Sequence, residues 1–398
     1  MSHIVGLLLD LFHVYSFFFT NLLTLYGTFR AASNLAKLGV TSLTSLSLNV
    51  NNLSSLRSLQ NQKKLERLSL KDNKISSLAG LKYLQKLVEL MVDVNSLTSL
   101  AQLGDSCWFN LVSFSANTNK ISSLPPNLSS NLPSLCTLNL YQNCIENIEV
   151  STFQNLHSLT ALDLGRNRLR NDAVLGESLS RAPSLRKLIL SQNCLQNAPV
   201  LRLPLLQQLW LGGNKISSFQ SWRDEEGAFM PCLSELYLQE NAISRIGGSG
   251  AIGFACPLIE KLDLSFNCME HLDDVVTSLL YLDRLKSLNI QDNPVVASDG
   301  DKLNERILLT LPGLAYLNNA SLGSDAKWGA FCSAVSGSAE VVMPHILVSE
   351  QKTAACHHRC VQLKLSFRNP PTLTPQFKPY CAGICLPPKG GVASRGRL

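Results

Sequence analysis

The residues best suited to chemistry lie near the C-terminus, where Cys356 and Cys360 bracket two histidines and a second thiol pair follows at Cys381 and Cys385. Four thiolates form a zinc ligand set, and the spacing within each pair is permissible for a structural site. Between the pairs, however, the chain reads RNPPTLTPQFKP, an extended and proline-rich stretch with no compact element to hold a metal. The tail is therefore expected to be disordered, its cysteines unpaired, and neither metal nor cofactor is expected. A second candidate, GSGAIG at 248–253, matches the dinucleotide fingerprint. That motif works only where a strand meets a helix whose N-terminus faces the pyrophosphate. Here it falls in a connection and reads as a flexible loop. No serine-histidine-acid arrangement and no phosphate loop occurs, so catalysis has no visible home and the chain is expected not to be an enzyme.

The elements that would position any site are set by a repeat. The frame L-x-x-L-x-L-x-x-N-x-L starts at Leu43 and recurs from Leu65, Leu87, Leu111, Leu135, Leu159, Leu185, Leu206, Leu233, Ile259 and Leu285. These are copies one to eleven below. Each supplies a short strand, x-L-x-L-x, with leucines on one face and variable residues on the other. One copy cannot bury its apolar side, but parallel stacking makes a continuous core. The framing asparagines are Asn51, Asn73, Asn95, Asn119, Asn143, Asn167, Asn193, Asn214, Asn241, Asn267 and Asn293. They sit where each strand ends and are expected to form a structural ladder, bonding to the backbone of neighbouring copies.

On these residues the chain resembles the leucine-rich-repeat family over roughly 35–318. The resemblance implies an α/β solenoid, a curved right-handed coil of about eleven repeats with a concave parallel sheet. The early copies are similar to the intracellular 22-residue subfamily typified by the protein phosphatase 1 regulatory subunit and axonemal dynein light chain; later copies are longer. NPVV followed by KLNERILLTLPGLAYLN resembles a C-terminal leucine-rich-repeat cap. Extracellular members usually close their ends with clustered cysteines, whereas Cys144, Cys194 and Cys268 stand singly. A reducing compartment is expected, cytoplasmic with nuclear or ciliary placement open.

The resulting division is 1–34 as an apolar N-terminal segment, 35–296 as the array, 297–321 as a cap helix and 322–398 as a basic tail. Within the first, residues 4–26 are apolar enough to span a bilayer but are interrupted by Asp10 and His13. A membrane anchor, a cap over the first repeat and an artefact of the gene assignment all stay open. The net charge of +6 is carried by the tail, where nine basic residues face three acidic ones after residue 318.

Outward strand positions carry five basic and eight acidic residues, the wrong balance for tracking phosphates, so nucleic acid is not expected in the concavity. What stands out there is aromatic. Ile189, Trp210 and Tyr237 occupy the same outward position on three successive strands, with Phe266 beyond and Tyr141 before them. Arg166, Lys187, Glu235, Lys261 and Asp263 would form a charged rim. Outward aromatics gain nothing from the solenoid core, and interface energy concentrates in such residues. The competing reading is that Trp210 and Tyr237 merely cover one another. The expected function is a non-catalytic scaffold binding a protein partner on the concave face. A membrane-anchored or secreted recognition receptor is one alternative, and a phosphatase-regulatory or ciliary adaptor another.

Overall fold

The computed structural model describes residues 22–24, 43–103, 108–126, 128–170, 173–219, 222–224, 227–246 and 252–323. Three-residue strands from every copy join one fourteen-stranded sheet in chain order, all pairs parallel except the last. Alternation sets the strand register. In each strand the central apolar residue, such as Leu46, Leu68, Phe114 or Leu209, is buried while its neighbours face outward. Strands pack about 4.8 Å apart whereas helices need 8–10 Å. The sheet must therefore line the inside of the curve.

In most copies the element on the outer side follows copy length. Shorter copies hold single 3-10 turns, at Arg57–Leu59, Ala79–Leu81, Ala101–Leu103 and Leu128–Ser130. The copies starting at Leu159, Leu233 and Ile259, each longer, fit α-helices at Ala173–Ser180, Ile252–Ala255 and Leu272–Leu279. Copies seven and eight instead pair Asn197–Ala198 with Ser218–Phe219, and copy eight adds a hairpin of Arg223–Asp224 with Gly227–Ala228. Trp222 beside it is buried, its indole N–H donating to the Pro199 carbonyl at 3.0 Å.

The asparagines make one contact set repeated from Asn73 to Asn293. Asn167 is typical: its Nδ2 donates to the carbonyls of Leu140 and Leu164, both at 3.0 Å, while its Oδ1 accepts from the Ile145 N–H at 3.0 Å. Each side chain thus ties the end of its own strand to the end of the preceding one. Asn318 ends the array differently, its Oδ1 accepting from the N–H of Ile290, whose counterpart Leu264 bonds to a backbone carbonyl of the next copy.

Several boundaries differ from the sequence expectation. Residues 22–24, inside the apolar N-terminal segment, form a parallel strand with Leu23 opposite Leu46, so the sheet begins one strand earlier. The rest of 4–26 lies outside the described residues, and among those described no helix is long and apolar enough to cross a membrane. The C-terminal helix runs Pro294–Thr310, starting ahead of residue 297 because Pro294 occupies the first helical turn, where a missing N–H costs nothing. Two short strands, Tyr316–Leu317 and Ala320–Ser321, then close the sheet. Of the glycine-rich motif, Ile252 and Gly253 open a short helix and the remainder is outside the described residues.

One regularity has no leucine or asparagine signature. The residue before every framing asparagine has positive φ, from Val50 to Asp292, and only Gly213 among them is glycine. For β-branched residues this conformation is costly. Val94, at φ 53° and 44% exposed, has little packing to lose. Val94→Asn is expected to stabilise the protein by about 1 kcal/mol, read as a rise in thermal midpoint; a fall would show that Val94 is held by contacts rather than strained.

Candidate functional site

The outward positions of copies five to nine build a continuous apolar strip. Ile189 and Trp210 are direct partners across their parallel strands, as are Trp210 and Tyr237. The indole and phenol rings stack, with centroids 3.9 Å apart and planes 23° from parallel. Tyr141 reaches the strip because copy six has no side chain in its way. A Cβ on Gly165 would lie 3.1 Å from the Tyr141 ring and 3.4 Å from Ile189 Cγ2. Copy eight repeats this device at Gly212, which the Gln239 side chain covers.

Cations lie over the rings. Lys187 is 5.9 Å from the Trp210 ring, Lys261 is 5.2 Å from the Tyr237 ring and Arg166 is 5.7 Å from the Tyr141 ring. Glu235 accepts the Tyr237 hydroxyl at 2.8 Å, and Asp263 accepts from Ser265 Oγ at 2.6 Å and from its N–H at 3.0 Å. Burial pushes the Tyr237 phenol above its ordinary pKa, with Lys261 opposing and Glu235 adding to the shift. The Tyr237 hydroxyl in turn raises the Lys261 ammonium against desolvation. At Asp163 burial raises the carboxyl, opposed by the Gly165 N–H and the Lys187 charge. Each of these groups has a partner inside the array.

The structure brings Tyr141, Ile189, Trp210 and Tyr237 together on the strand face and differs from the sequence expectation in two places. Tyr237 is only 8% exposed. It is buried by Trp210 on one side and Lys261 on the other, so the outward aromatics do stabilise the array through their mutual stack. Phe266 does not join the strip. It sits at the positive-φ position after its strand and is 55% exposed. The zinc candidates Cys356, Cys360, Cys381 and Cys385 lie outside the described residues. What the sequence reading missed are Gly165, Gly212 and Gln239, whose signal was a small residue beside an aromatic on the neighbouring strand.

Comparison with known proteins supplies the wider frame. Residues 110–169 match the family described as leucine rich repeat, and residues 183–224 match leucine rich repeats in two copies. Keratocan from Danio rerio is 29% identical over 52% of this chain, and the match spans 58% of keratocan's length. An internalin from Listeria monocytogenes superposes with a TM-score of 0.53 at 19% identity, covering 76% of this chain and 87% of its own. The protein of the TLR13–ssRNA13 complex superposes with a TM-score of 0.57 at 26% identity, covering 72% of this chain and 41% of its own. The fold is a leucine-rich-repeat solenoid.

Proposed function

We propose that the protein is a non-catalytic interaction scaffold that holds a protein partner on the strand face, along the strip of Tyr141, Ile189, Trp210 and Tyr237. The observation that carries this reading is the strip itself. In the other repeat copies the same position holds serine, asparagine or aspartate, with Met91 the one other apolar exception. A sheet satisfied by polar residues at most copies has no folding reason to expose isoleucine and tryptophan at adjoining ones. Stacked aromatics ringed by mixed charge are the composition of an interface centre. A related fold binds RNA in the TLR13–ssRNA13 complex. Here acids outnumber bases on the outward positions, which favours protein over nucleic acid.

Trp210→Ala is the test, because Trp210 is more open than Tyr237 and its loss forfeits chiefly the stack, about 1 kcal/mol. Affinity purification from cells is expected to recover a partner with the wild-type chain and to lose it with the variant, while the folded signal persists. Equal recovery would place the interface elsewhere.

The compartment that fits best is a reducing one. Cys136, Cys144, Cys194, Cys232, Cys256 and Cys268 are all free thiols. The buried Cys256 is pushed up to about 12 by desolvation, which keeps it inert. The sequon asparagines Asn52 and Asn319 are exposed and would be accessible in a secretory route. Glycosidase treatment of the full-length protein from cells is expected to leave its mobility unchanged. A shift would favour the receptor reading.

A further inference from the structure

The strip also interrupts a hydrogen-bonding device that most copies share. Parallel pairing has Lys187 donate its N–H to the Thr160 carbonyl. Continuing that alternation would bring the Ser191 N–H to the Leu164 carbonyl, but Leu164 already accepts from Asn167 and Asn193. The asparagine ladder therefore strips an acceptor from the second residue past each strand. Other copies replace it with a side chain. Lys71 N–H donates to Asn49, Asn117 to Asp93, Tyr141 to Asn139, Gly165 to Asp163, Ser265 to Asp263 and Gln291 to Asn289.

Copies seven, eight and nine have Ile189, Trp210 and Tyr237 where that carboxamide or carboxylate would stand. Among the described residues the N–H groups of Ser191, Gly212 and Gln239 accordingly have no acceptor. The amides of Asn49 and Asp93 also lack one, but each has a supplied neighbour on the following copy. Among the described residues, only in the strip do the free donors run consecutively. Three side-chain atoms beside them are also unpartnered and buried, namely Ser191 Oγ, Trp210 Nε1 and Gln239 Oε1. Buried polar groups left unpaired are costly and call for a partner.

We infer that this row of backbone donors, with the Gln239 side chain drawn off Gly212, receives carboxylate oxygens from an acidic segment of the protein partner, which completes in trans the contact that aspartate and asparagine make in six other copies. The inference rests on the strip being the partner-binding surface. Adjacent strands lie about 4.8 Å apart, so the three donors span roughly 10 Å, the reach of a few residues of extended chain. Arg166, which donates through Nε to Gln192 beside the row, supplies positive charge at its copy-six end. Glu240 at the other end directs the carboxylates toward copies seven and eight. A polyphosphate would meet the same donors, but Asp163, Glu235 and Asp263 along the strip oppose its denser charge.

Ile189 allows a test that separates packing from hydrogen bonding. Asn139 and Asn289 hold the equivalent position in folded copies, so Ile189→Asn fits the fold and would cap the Ser191 N–H from within the chain. Ile189→Ala removes the same apolar contact and leaves the donor free. Amide spectra of the full chain would be titrated with a dodecapeptide of alternating glutamate and serine, its lysine counterpart, and a twelve-nucleotide polyuridine RNA. The acidic peptide is expected to move the Ser191, Gly212 and Gln239 amides downfield, the lysine peptide to leave them in place, and Ile189→Asn to weaken binding about tenfold more than Ile189→Ala. Equal effects of the two variants, no shift with the acidic peptide, or shifts with the RNA instead would each overturn the inference. If Trp210→Ala still abolishes capture of the cellular partner while Ile189→Asn behaves as Ile189→Ala, the docking surface stands and the donor row does not. If Trp210→Ala leaves capture intact, the surface itself is wrong.

Discussion

Asn167→Ala is expected to destabilise the solenoid by about 3 kcal/mol, although it removes a polar side chain of modest size. The loss falls unequally on the four groups that Asn167 serves. The carbonyls of Leu140 and Leu164 keep a second donor each, from Asn143 and Asn193, and the Gly165 carbonyl keeps the Gln142 N–H. The Ile145 N–H has no such reserve, because Asn167 Oδ1 is its acceptor in a buried setting. One orphaned amide and three weakened carbonyls in the middle of the array therefore account for the cost. Asn167→Asp keeps the acceptor but turns a charge toward the three carbonyls, and it is expected to be no better tolerated. Denaturant titration checks both variants. A loss near zero would mean that water replaces the ladder without penalty.

Trp108→Ala is expected to cost more, about 4 kcal/mol. Its column on the outer side of the core is filled elsewhere by residues such as Leu84, Leu132 and Leu156. Trp108 is fully buried there, with its indole N–H 3.3 Å from the Leu81 carbonyl. Alanine would leave a void between the second and fourth copies that the flanking 3-10 turns cannot close. Trp108→Leu restores the usual occupant of the column and should lose considerably less. Comparable losses for the two variants would show that the hydrogen bond, and not the filled volume, holds this layer.

The strands and the ladder were readable from spacing alone, because a period-two leucine pair followed by a buried asparagine leaves one register that hides both. The strand at 22–24 escaped because Thr28 falls where the framing asparagine would be, which removes the strongest marker of a copy. Positive φ before each asparagine escaped for another reason. Ten different contexts place valine, threonine, aspartate or arginine there as readily as glycine, so backbone need rather than residue type sets the conformation. At the site, the aromatic residues could be placed on one face from their positions, but their coverage could not. Whether Tyr237 is open or buried depends on a Trp210 rotamer and on Lys261 folding over the ring, which are cross-strand facts. The missing acceptors at Ser191, Gly212 and Gln239 became visible only once the ladder was seen to take the carbonyls of the preceding copies.

Amide hydrogen exchange of the full chain, free and bound to the partner recovered through Trp210, tests the central claim most directly. Protection is expected at Ser191, Gly212 and Gln239 and along the strand ends of copies five to nine, where the unpaired donors and the aromatic strip adjoin. Protection confined to the outer side, around Tyr83 or Phe109, or to the polar strands of copies one to four, with the strip exchanging as in the free protein, would contradict it.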